Sequence, residues 1–131
     1  MLTKLKDSFT KKNEYHSHNK FKVAFNGIKV VFKEESSFRY QFILLVLTVV
    51  FGLMIGLTRL EWITIVFAAI LVFTFEMVNT AIENIIDIVS PDYSKMAGKI
   101  KDISAGAVLL SSIGAAIIGL LIFMPRIINF F

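Results

Sequence analysis

Cysteine is absent from all 131 residues, which excludes disulfides, thiolate catalysis and cysteine-type metal sites. The common nucleotide signatures are missing too. No G-x-G-x-x-G occurs, and a Walker loop ending at Gly98-Lys99 lacks glycine at Tyr93 and a hydroxyl residue at Ile100. Internal repeats and low-complexity segments are also absent. The length is that of one domain, so separate catalytic and membrane domains cannot both fit. Charge is locally scarce. None falls between Tyr40 and Thr58, a run of 19 residues, and none between Ile103 and Pro125, a run of 23.

What fills those runs is apolar. Hydrophobic residues make up 56% of the chain, and the 13 phenylalanines weigh further against an ordinary soluble globule. About 20 apolar residues cross a bilayer as a helix. A third apolar stretch runs from Trp62 to Val89, broken only by one polar stripe. The expected fold is therefore an all-α integral membrane protein with transmembrane helices at about 41–58, 62–89 and 103–124. The first of these begins late and has no small-residue cleavage site after it, so it reads as a retained helix.

Nine of the 14 Lys and Arg residues precede residue 40, and Lys95, Lys99 and Lys101 follow the second span. By the positive-inside rule the N-terminus and the expected 90–102 loop face the cytoplasm and the C-terminus faces outside. Residues 1–19 read as a mobile polar tail, with His16 and His18 solvated, and 125–131 as a short outside tail. Residues 20–38 carry Lys22, Asn26, Lys29 and Lys33 on one stripe amid aromatic and branched residues. That pattern suits an amphipathic helix in the headgroup plane of an anionic membrane. Two spacings, Gly52-x-x-x-Gly56 and Ala115-x-x-x-Gly119, permit close helix packing.

The second span holds Glu76, Asn79, Glu83 and Asp87, within roughly 80° of one another on a helix. A carboxylate at the centre of a membrane helix costs about 3 kcal/mol on insertion scales, so such residues mark ion, proton or substrate sites. Asp87 and Glu83 can also simply emerge at the cytoplasmic surface; Glu76 is too deep for that. Glu76 and Glu83 lie about 10 Å apart along the axis. Glu35, just before the first span, can share a level with Glu83. Two carboxylates plus phosphate oxygens are what Mg²⁺ accepts, and a lysine such as Lys99 or Lys101 can hold a polyphosphate. Phosphoryl transfer is one reading of these parts. A proton-coupled transporter using Glu76 and Glu83 as relay groups is another, and a non-catalytic lipid-binding subunit a third.

The run Glu76-Met-Val-Asn79-Thr-Ala-Ile-Glu83-Asn-Ile-Ile-Asp87, with Lys101-Asp102 and Glu35-Ser-Ser-Phe38-Arg39, resembles the prokaryotic diacylglycerol kinase/undecaprenol kinase family. The resemblance spans about residues 20–124. It implies a homotrimer with active sites shared between protomers in the cytoplasmic membrane, transferring phosphate from Mg-ATP to a lipid alcohol, with no nucleic-acid partner. It assigns Glu76 as proton acceptor, Glu35 and Glu83 as metal carboxylates, and Asn79 as the polar residue between them. Lys101 and Asp102 match the phosphate- and nucleotide-contacting pair. Asp92, Tyr93 and Ser94 fall in the loop nearing the nucleotide, and Phe38, Arg39 and Tyr40 lie beside the lipid entrance. Ser94 and Gly98 depart from the histidine and lysine of many relatives. The second block, Glu34-Glu-Ser-Ser-Phe-Arg-Tyr-Gln41, and the Asp102–Leu110 stretch look more like the Gram-positive branch. That branch implies undecaprenol as substrate, with diacylglycerol as the alternative.

Overall fold

The computed structural model describes residues 20–92 and 94–128. The expected 1–19 tail and residues 129–131 of the expected 125–131 tail lie outside them, as does Tyr93, while residues 125–128 are the last turn of a helix and not tail. Four helices follow in order: α1 Lys20–Glu34, α2 Ser36–Ile55, α3 Arg59–Val89 and α4 Lys95–Ile128. Three of them, α2, α3 and α4, are long and apolar enough to cross a membrane.

The boundaries differ from the charge map in instructive ways. The break between surface helix and first span falls at Glu35, not near residue 40, because Glu35 adopts an extended backbone (φ −97°, ψ 117°). Ser36–Tyr40 therefore belongs to α2. The α2 end comes at Ile55 and not at Thr58. Gly56 turns the chain with φ +69°, and the Leu57 N–H closes back on the Gly52 carbonyl at 3.2 Å. Only glycine takes that left-handed position without cost. Thr58 then opens α3 with a capping box, accepting from the Glu61 N–H while its own N–H donates to the Glu61 carboxylate.

The largest correction concerns the expected 90–102 loop. Charges mark where a helix leaves hydrocarbon, and they do not end it. The connection spans only 90–94, and α4 starts at Lys95, capped by Ser94, whose Oγ accepts from the Ala97 N–H. Lys95, Lys99, Lys101 and Asp102 are thus helical. At 1.5 Å per residue, the 31 residues of α3 and 34 of α4 extend about 46 and 51 Å, well beyond a hydrocarbon core of about 30 Å. Their ends must project into the headgroups or water.

Packing is uneven. α3 and α4 form the main pair, whereas α2 meets α3 chiefly near its ends. The inward stripe of α3 runs Ile65, Ala68, Val72, Glu76, Thr80, so an apolar seam turns polar halfway along. At one end Phe38 is buried and its ring meets Phe73 at 4.9 Å and Phe32 at 6.2 Å, tying α1 and α2 to α3. Arg39 donates to the carbonyls of Phe32 and Lys33 at 3.1 and 2.9 Å, closing the C-terminus of α1. We call this the basic end.

At the other, hairpin end, the guanidinium of Arg126 grips Glu61 through both carboxylate oxygens, at 2.6 and 3.2 Å. It also reaches the Ile55 and Gly56 carbonyls at 3.4 and 3.2 Å. One side chain from α4 thus bridges the ends of α2 and α3. Nearby, a Cβ on Gly52 would come within 2.9 Å of the Trp62 ring and 2.7 Å of Leu57. Gly52 therefore does permit the close approach expected of it. Gly119 has nothing within 4 Å of such a Cβ, so the Ala115/Gly119 pair brings no helices together within the described chain.

Candidate functional site

Glu76 is the deepest charged side chain described, with 4% of its surface exposed. Its two carboxylate oxygens face α2. Ser37 donates its hydroxyl to Oε1, and Gln41 Nε2 donates to Oε2 at 3.4 Å. Ser37 and Gln41 are one turn apart on α2, so a single face of that helix supplies both donors. The Gln41 Oε1 is buried and without a partner. Thr80, one turn along α3, returns its hydroxyl to the Glu76 carbonyl at 3.0 Å and adds no contact to the carboxylate.

The rest of the polar stripe turns to α4. Asn79 Nδ2 donates to Glu83 Oε1 at 3.2 Å, and Asn79 Oδ1 accepts from the Ser104 hydroxyl at 2.6 Å. Lower down, Lys101 reaches back from α4 to Asp87, Nζ to Oδ1 at 2.5 Å. The single stripe expected from helical spacing is therefore divided between two neighbours. Glu76 belongs to the α2–α3 contact; Asn79 and Asp87 reach α4, and Glu83 is tied to that side through Asn79. Beside Asn79 and Ser104 opens an apolar groove of about 280 Å³, walled by Phe75, Val78 and Ile82 from α3 and Ile100, Ile103 and Ala107 from α4.

The remaining expected residues sit around this centre. Glu35 occupies the α1–α2 break, half-buried, and its side chain makes no capping hydrogen bond. Phe38 is in the aromatic core and Arg39 on the α1 terminus, as described, while Tyr40 is 70% exposed. Asp92 is exposed in the short connection, where its backbone carbonyl accepts from Ser90 Oγ at 3.2 Å. Ser94 serves as the α4 cap. Lys101 is in the ion pair, and Asp102 is exposed one residue on.

Three contacts escaped the sequence reading: Ser37, Gln41 and Ser104. Each is a small or neutral polar residue at the edge of an apolar run. Such residues cost little in a membrane helix and so stand out less than a carboxylate. The available signal is positional: Ser37 and Gln41 share a face, and Ser104 is the first hydroxyl inside the charge-free run of α4.

Among the described residues no group of three or more histidine or acidic side chains gathers to cage a metal. Glu35, at the α1–α2 break, and Glu83, on α3, are the two carboxylates that the resemblance assigns to a metal. That chemistry fits Mg²⁺ delivered with a polyphosphate, since Mg²⁺ takes one or two protein carboxylates and fills its shell with phosphate oxygens and water. The arrangement thus offers a buried carboxylate held by two donors, a second carboxylate braced by an amide, and a lysine paired with Asp87 one turn further along α3.

Comparison with known proteins points the same way. The sequence profile described as prokaryotic diacylglycerol kinase matches residues 22–123. An undecaprenol kinase of Bacillus subtilis (strain 168) is 32% identical over 122 residues, covering 92% of this chain and 99% of that relative. Diacylglycerol kinases of Haemophilus influenzae and Escherichia coli (strain K12) are each 27% identical, over 96 and 94 residues. These alignments cover 73% and 72% of this chain, and 81% and 77% of the relatives.

Proposed function

The chain belongs to the prokaryotic diacylglycerol kinase family, and from that premise we propose that it phosphorylates the primary hydroxyl of undecaprenol with Mg-ATP. The observation that carries this reading is Glu76, a buried carboxylate fixed by Ser37 and Gln41 halfway along a membrane helix. A carboxylate so placed is suited to take a proton from a hydroxyl that comes to it from the bilayer. Undecaprenol is favoured over diacylglycerol by the second sequence block and by likeness to a relative named undecaprenol kinase over nearly its whole length.

In this mechanism Glu76 takes the proton of the lipid hydroxyl as that oxygen bonds to the γ-phosphorus and the bond to the ADP oxygen breaks. Ser37 and Gln41 keep the carboxylate turned toward the acceptor. Glu35 and Glu83 would hold Mg²⁺, which when bound neutralises charge on the transferring phosphate. Asn79 braces Glu83. Lys101 exchanges Asp87 for a phosphate, and Asp92, Ser94 and Asp102 border the nucleotide's approach. Phe38, Arg39 and Tyr40 border the side from which lipid arrives. The kinase unit spans 20–124, with the basic end on the cytoplasmic face of the cell membrane and three copies completing shared sites.

Purified protein with Mg²⁺ and labelled ATP, offered undecaprenol and diacylglycerol in parallel mixed micelles, tests this directly. Phosphorylated undecaprenol is the expected product. A strong preference for diacylglycerol overturns the substrate, and no labelled lipid from either overturns the kinase reading.

A further inference from the structure

We propose that Ser104 is a positioning residue that locks the side-chain amide of Asn79 in the orientation that donates to Glu83. The inference deepens the reading above and rests on its assignment of Glu83 as a metal carboxylate. An asparagine amide has two nearly isosteric ends, one donating and one accepting. Which end faces Glu83 decides whether the contact attracts or repels. With Glu83 ionised, Asn79 must present its NH₂ group, so its Oδ1 must point the other way, toward α4. There it meets the Ser104 hydroxyl at 2.6 Å.

That hydroxyl has one hydrogen and two candidate acceptors, Asn79 Oδ1 and the Lys101 carbonyl at 2.9 Å. If the hydrogen went wholly to Lys101, the Ser104 oxygen could only accept. Asn79 would then be drawn round to donate to it, turning Oδ1 against the Glu83 carboxylate. Donation by Ser104 to Asn79 puts the hydrogen between the closer pair of oxygens, 2.6 Å apart, and leaves the Lys101 carbonyl to its backbone partner one helical turn on. Ser104 is buried at 8% exposure, and the adjoining groove is apolar apart from Asn79 and Ser104 themselves. Neither a side chain nor the groove's own lining offers a substitute donor. The preference therefore depends on this one hydroxyl, set one turn from Lys101 on a different helix from the carboxylate it steadies.

The test uses the full-length protein in bilayers, with Ser104→Ala, Ser104→Thr, Asn79→Ala, the Ser104→Ala/Asn79→Ala pair, and Glu83→Gln as reference. Mn²⁺ binding in the presence of a non-hydrolysable ATP analogue is read by electron paramagnetic resonance. The Mg²⁺ concentration for half-maximal turnover is read alongside. Loss of an outer partner of a metal ligand weakens metal binding about 10- to 100-fold. Asn79→Ala should weaken Mn²⁺ binding by about that much, and Ser104→Ala should weaken it measurably but by no more than Asn79→Ala. Ser104→Thr, whose extra methyl the groove can take, should restore it. In the Asn79→Ala background Ser104→Ala should add nothing. Unchanged Mn²⁺ binding in Ser104→Ala, with binding weakened in Glu83→Gln, overturns the inference and leaves the reading of Glu83 standing. Failure of threonine to rescue, or an additive loss in the double variant, overturns it as well, since either marks a packing effect. If Glu83→Gln itself binds Mn²⁺ normally, the assignment of Glu83 falls and takes this inference with it.

Discussion

Glu76 and Glu83 are the same residue type on the same helix, and their surroundings give them different work. Glu76 is enclosed between α2 and α3 with two neutral donors, whereas Glu83 leans on Asn79 at the more accessible α3–α4 side. Glu76→Gln should lower kcat by on the order of 10²- to 10⁴-fold, the usual contribution of a positioned base, with Mg-ATP binding largely kept. Glu83→Gln should instead raise the Mg²⁺ requirement. Equilibrium nucleotide binding separates the two, and equal loss in both variants would refute the division of roles. Gln41→Leu removes one of the two donors to Glu76 and should lower kcat at unchanged KM for ATP, measured under saturating lipid. The carboxylates were legible in the sequence because charge in an apolar helix is costly and therefore conspicuous. Ser37, Gln41 and Ser104 were not, because what makes them matter is a partner on another helix, which spacing along one helix does not reveal.

Helix identities follow from charge-free runs, but helix ends follow from local backbone chemistry. A charge map locates the bilayer, and so it cut α4 short at residue 103 where the helix continues back to Lys95. It likewise set the first span at residue 41, since it had no means of seeing the extended Glu35 backbone. Glycine spacing shows the same limit. Gly52 and Gly119 look alike in the sequence, yet only Gly52 lies under an aromatic ring. Gly52→Ala should destabilise the protein by about 1–3 kcal/mol through overpacking against Trp62, whereas Gly119→Ala should be near neutral in the isolated chain. Thermal unfolding in detergent, read side by side for the two variants, checks the contrast.

Taken whole, the chain leaves most of its apolar surface uncovered by itself. Leu110 is 72% exposed and Leu121 71%, and no residue in the most apolar stretch of α4 is buried. In a bilayer, lipid or a second copy of the chain can cover such a surface. Native mass spectrometry from mild detergent should give three copies per particle, and a monomer that turns over lipid at the full rate would refute sharing of sites. The hairpin end has a further consequence, for how the molecule is made. Glu61 and the Ile55 and Gly56 carbonyls emerge from the ribosome long before Arg126, their common partner. The clasp can close only after the last helix has threaded the bilayer in the correct sense. An inverted or unthreaded α4 would leave Arg126 on the wrong side and Glu61 without its counter-ion. The same four contacts that join the helices in the finished protein are thus among the last it can form, and the α2–α3 end stays unclasped until α4 is in place.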